Sequence, residues 1–127
     1  MNPEKVIFAF TIILAMTVNF GFFVGDMHLA SDHHVYVLYI AIFVNVVATI
    51  LKFGDRSHIG SVLLASSLVA DIHLVAAAVV WGVANHVTET GLTPTVLASI
   101  VSLSGGALLA NLISVILLVI ETVSLRR

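Results

Sequence analysis

Four apolar runs dictate what this chain can become. They extend from about residue 6 to 24, 35 to 53, 59 to 84 and 95 to 125. Each reaches the roughly 17–25 residues with which a helix crosses about 30 Å of hydrocarbon. Buried helices of a water-soluble protein would show a polar face at helical spacing, and these runs show none. The expected fold is all-α: a polytopic membrane protein with a single transmembrane domain, its four helices packed as an up-down bundle. The first run is too long for a signal peptide and no small-x-small site follows it, so it is expected to be retained. Thr93-Pro94 is a good start for the fourth helix, a capping hydroxyl followed by proline in the first turn.

Composition agrees. Of 127 residues, 60% are hydrophobic and 9% are charged, whereas soluble domains carry about 25% charge. A small domain buries only about two-thirds of the surface its chain exposes. An ordinary soluble protein and a disordered chain are therefore excluded. Five basic residues against seven acidic ones make no phosphate-tracking surface, and no nucleic-acid partner is expected. Without cysteine there is no disulfide framework and no thiol nucleophile. The connections are too short for a soluble domain or a phosphate loop. No nucleophile–base pair is spelled out, so no enzymatic activity is expected.

The basic residues set an orientation. Lys5 precedes the first helix, Lys52 and Arg56 lie between the second and third, and Arg126 and Arg127 end the chain. The connections 25–34 and 85–93 contain no Lys or Arg. The positive-inside rule then puts both termini in the cytoplasm of a bacterium, with the protein in its inner membrane. Tyr36, Tyr39 and Trp81 fall near the outer helix ends, where an interfacial aromatic belt belongs.

In lipid, helices associate through close packing of small residues. Ala98, Ser102, Gly106, Ala110 and Ser114 form such a stripe on the fourth helix, each four residues apart. It is a helix-packing interface, either within the bundle or between subunits, and Gly105 beside Gly106 widens it.

Polar residues inside the spans are the functional candidates. Counted from the inner helix ends at 1.5 Å per residue, Asn19, Asp71 and Asn111 each lie about 20 Å deep. His73 lies about 3 Å higher and Asn45 about 10 Å lower. The asparagines are read either as interhelical hydrogen bonds or as part of a polar path. Asp71 is harder to assign to packing, because a charged carboxylate at mid-bilayer costs at least about 2.5–3.5 kcal/mol. It must be protonated, paired or in water. Ser67, one turn earlier, shares its face. His73, two residues on, points about 200° away. One of the two is then expected to face lipid or another subunit, which argues for a homo-oligomer. Glu121, near the inner surface, reads as a structural ion-pair partner.

The first outer connection is rich in metal-ligand types: Asp26, His28, Asp32, His33 and His34, with His86 and Glu89 on the other outer loop. Imidazole and carboxylate suit a divalent transition metal such as zinc, copper, nickel or iron. No paired His at i and i+4 is present, and solvated or titrating loop histidines are the alternative.

The segments Lys52-Phe53-Gly54-Asp55-Arg56, Leu68-Val69-Ala70-Asp71 and Ser102-Leu103-Ser104-Gly105-Gly106 carry a resemblance over the whole chain. It resembles small four-helix bacterial inner-membrane proteins of unassigned function. The resemblance implies no activity. A potassium-channel filter and a voltage-sensing arginine ladder are both missing. The expected function is a homo-oligomeric channel or transport protein for a small cation or proton. Asp71 would bear the charge, and Asn19, Asn45, Ser67, Asn111 and His73 would line the path. The alternatives are a non-transporting accessory or scaffold subunit, and a metal-binding or metal-sensing membrane protein.

Overall fold

A computed structural model describes residues 3–25, 33–54, 57–88 and 91–125. It is all-α, with α1 Pro3–Phe23, α2 Val35–Lys52, α3 His58–Gly82 and α4 Pro94–Leu125. All four helices are long and apolar enough to cross a membrane, the third span running on through a π-helical extension to Val87. The chain is a multi-pass membrane protein.

Local chemistry sets the helix ends. Pro3 and Pro94 open α1 and α4, where a missing N–H costs nothing. Thr93 caps α4 by accepting from the Val96 amide at 3.2 Å, and Ser57 caps α3 by accepting from Gly60 at 3.0 Å. Gly25 follows α1 with φ 117°, a conformation in which a side chain would clash. α3 does not stop where the apolar run thins. It continues as a π-helical turn, Val83–Val87, closed by the Thr88 amide on the Val83 carbonyl at 3.0 Å. Asn85 and His86 are therefore helical and not in a loop.

Each helix packs on its neighbours in sequence, and α4 closes the ring on α1. Both ends of the described chain lie at one end of the bundle, together with Lys5 and Lys52. The Lys52 ammonium lies over the Phe8 ring, 4.5 Å from its centroid. The outer surface is apolar all round: Phe10 is 65% exposed, Phe43 69% and Ile72 66%. Such side chains have a favourable environment only in lipid.

The core divides into two apolar clusters. One, towards the termini, gathers Phe8, Ile12, Ala48 and Leu63, with Val115 and Leu118 against it. The other, towards the far end, includes Phe22, Ala41, Ala70, Leu74 and Ala110. In the gap between them, or for α1 beside the far cluster, every helix contributes a buried polar residue. These are Asn19 from α1, Asn45 from α2, Ser66 and Ser67 from α3, and Asn111 and Ser114 from α4. A polar belt thus crosses the bundle, with Thr11, Thr49, Ser104 and His33 the other buried polar side chains among the described residues.

Candidate functional site

The belt sorts itself by hydrogen bonding. Asn19 is satisfied: with its amide nitrogen towards the Ser104 carbonyl (3.3 Å), its oxygen accepts from the Leu108 amide (3.0 Å). It therefore docks α1 onto one turn of the α4 backbone. Ser66 and Ser114 bond to each other across α3 and α4 at 2.5 Å. Asn45 donates from Nδ2 to the Ala41 carbonyl at 2.8 Å. Its Oδ1 has no partner, and neither do Ser67 Oγ, Asn111 Oδ1 and Asp71 Oδ1. Burying such a group unpaired is costly, so each calls for a water, an ion or a proton.

Asp71 sits beside the belt on α3, one turn beyond Ser67 and partly exposed. Its Oδ2 lies 2.5 Å from the Thr49 hydroxyl of α2. That hydroxyl is also 3.0 Å from the Asn45 carbonyl. A threonine has one hydrogen to donate, so it serves one of these acceptors at a time.

The Thr49–Asp71 bond shows that a depth counted on α3 does not carry over to α2. Asp71 is about 20 Å along α3 from its start, whereas Thr49 is only about 5 Å from the end of α2. The two helices are offset or inclined, so distance from a helix end does not give a common layer. Helical side chains also lean towards their own N-terminus, which brings the Asp71 carboxyl back towards the turn of Ser67.

His73 requires no second subunit. α3 has a neighbour on each flank, with Asp71 turned to α2 and His73 turned to α4. The imidazole donates from Nδ1 to the Val69 carbonyl at 2.8 Å and covers Gly106, where a Cβ would lie 2.6 Å from ring atom Cδ2. His73 thus finds a neighbour within one chain, so the argument for an oligomer does not rest on it, while Asp71 stays partly exposed. Within the small-residue stripe, Gly106 takes His73, Ser114 bonds α3 and Ala110 is buried. Ala98 is partly exposed and Ser102 exposed.

Of the outer ligand candidates, Asp26, His28, Asp32 and Glu89 lie outside the described residues. His33 is buried and donates from Nδ1 to the Phe22 carbonyl at the end of α1, at 2.5 Å. Its ring packs on that of Phe22, centroids 5.6 Å apart. The sequence offers no periodic signal for this role, since it depends on how the first connection folds back. His34 and His86 are exposed. Among the described residues no three His, Cys, Asp or Glu side chains gather as a metal site. A groove between α1 and α4, lined by Met16, Thr17, Phe20, Leu108 and Leu112, carries no ionisable group.

No curated protein and no solved structure matches the chain. Its match over residues 32–122 takes in three of the four helices and the whole Asn45–Thr49–Ser67–Asp71 constellation, and the chain belongs to DUF6394, a family of unknown function.

Proposed function

We propose that the chain is the subunit of a homo-oligomeric membrane protein that moves or gates a small cation or proton, with Asp71 as the charge-bearing group. One observation carries this role. Among the described residues Asp71 is the one acidic side chain in the middle of a span, and one of its carboxyl oxygens is buried without a partner. A packing residue would be fully bonded, because an orphaned acceptor only costs stability. An intramembrane acid is by default a functional group.

The positive-inside rule supports cytoplasmic termini in a bacterial inner membrane. Lys5 and Lys52 fall at one end of the bundle, and Arg56, Arg126 and Arg127, outside the described residues, belong in sequence to the same side. Self-association draws support from the partial exposure of Asp71. A second copy over the α2–α3 seam would take it out of lipid.

A second role, as an accessory or scaffold subunit, is favoured by Asn19 and by Ser66–Ser114, whose bonds lock helices together. Flux in proteoliposomes separates the two. Transport predicts a pH- or cation-driven flux in the wild type that Asp71→Asn reduces at least about tenfold, a loss of about 1.4 kcal/mol in barrier terms. Equal flux in both proteins, or flux in neither, removes the transport role.

A further inference from the structure

The unpartnered atoms of the belt share one chemistry: all four are oxygens. Asn45 Oδ1, Asn111 Oδ1 and Asp71 Oδ1 accept only, and Ser67 Oγ both donates and accepts. Asn45, Ser67 and Asn111 are each fully buried. They come from α2, α3 and α4 and lie in the same gap between the two apolar clusters. Asp71 leans back towards Ser67 from one turn away. A set of neutral oxygens with one carboxylate, and no nitrogen or sulfur ligand, suits a hard cation.

We propose that this part of the belt binds a dehydrated monovalent cation, of which Na⁺ is the type, at Asp71 and Ser67 with Asn45 and Asn111 completing the shell. The cation and a proton on Asp71 exclude each other. The proposal rests on Asp71 being the ion-handling group and names its ion.

Charge decides the valence. Asp71 brings a single negative charge. A divalent ion would leave one positive charge uncompensated in an apolar interior, at a cost of several kcal/mol. The other ionisable groups on the helices packed against α3 lie elsewhere. On α2, Tyr36 and Tyr39 are exposed near the far end and Lys52 is over Phe8. On α4, Glu121 is in the last turns, and on α3 itself His58 opens the helix and His73 faces Gly106.

Thr49 supplies the exchange. When the carboxyl carries a proton, that proton is donated to Thr49 Oγ1, and the threonine hydrogen goes to the Asn45 carbonyl. When a cation replaces the proton, the threonine hydrogen turns from the Asn45 carbonyl to the carboxylate oxygen Oδ2. Both states use distances already present, 2.5 Å to Asp71 and 3.0 Å to Asn45. No helix has to move.

The test is equilibrium binding of ²²Na⁺ to the purified full-length protein in nanodiscs, with choline as the balancing ion. Wild type, Asp71→Asn, Ser67→Ala and Asn111→Ala are compared at several pH values. Expected are saturable binding lost in Asp71→Asn, an affinity at least about fivefold weaker in Ser67→Ala, and apparent affinity falling by up to about tenfold per unit of lowered pH, the one-for-one limit. Asn111→Ala, on α4 and not itself part of the Thr49 bond, is expected to weaken binding as Ser67→Ala does and keeps the assignment testable should Asp71→Asn fail to fold. Absence of saturable Na⁺ binding in the wild type, or binding that no variant weakens, overturns the proposal. Proton flux without Na⁺ binding overturns it while leaving Asp71 as a proton carrier. Na⁺ binding without any flux overturns the transport role and leaves the site.

Discussion

His73 lies over Gly106: a Cβ at that position would come within 2.6 Å of Cδ2 and 3.0 Å of Nε2 of the imidazole. The ring cannot swing away freely, because Nδ1 is held by the Val69 carbonyl. Gly106→Ala therefore forces a backbone or ring shift and is expected to destabilise the bundle by about 1–3 kcal/mol. Combining it with His73→Ala should recover most of that loss. Thermal unfolding in detergent reads both. A double variant no more stable than Gly106→Ala alone would mean that the glycine is needed for something other than the histidine.

Ser66 and Ser114 bridge α3 and α4. Each alanine replacement leaves the other hydroxyl short of a partner across the interface. The two single changes should therefore be non-additive. A double-mutant cycle is expected to give a coupling of about 0.6–1.7 kcal/mol, between the average and the largest value typical of hydrogen bonds between membrane helices. Coupling indistinguishable from zero would show that the two hydroxyls do not meet in the bilayer.

Asn19 separates packing from transport. Asn19→Leu removes the contacts to the Ser104 carbonyl and Leu108 amide, which remain i and i+4 neighbours in the helix ladder. The expected effect is a loss of about 0.6–2 kcal/mol in stability with ion flux unchanged per folded molecule. A selective loss of flux at unaltered melting temperature would return Asn19 to the ion path.

His33 ties the start of α2 to the end of α1 through the Phe22 carbonyl. His33→Ala removes a buried hydrogen bond and a ring contact, and should lower stability by about 1–3 kcal/mol without any metal present. Hydrogen exchange should rise at the end of α1 and the start of α2 before it rises elsewhere. If stability instead depends on added zinc and not on His33 in metal-free protein, the outer connection is a metal site and His33 one of its ligands.

Much of this was legible without coordinates. The length and apolarity of four runs decide that helices form and that they span, because only lipid accommodates so much exposed Phe, Ile and Val. Thr93-Pro94 marks the start of α4, since a cap and a proline act within one turn. The intramembrane Asn and Asp residues stand out for the same reason the runs do: a polar group in hydrocarbon must have a cause. What a chain of letters does not contain is the neighbour across the interface. Depth counted from helix ends grouped Asp71 with Asn19 and Asn111, but did not point to Thr49, which the packing of α2 against α3 brings to its carboxyl. His73 looked stranded on the wrong face until α4 supplied Gly106 beneath it. Whether a buried oxygen is satisfied depends on distances of a few tenths of an ångström between helices far apart in sequence. Tertiary packing alone therefore separates Asn19, Ser66 and Ser114, which hold the bundle together, from Asn45, Ser67, Asp71 and Asn111, whose oxygens remain open.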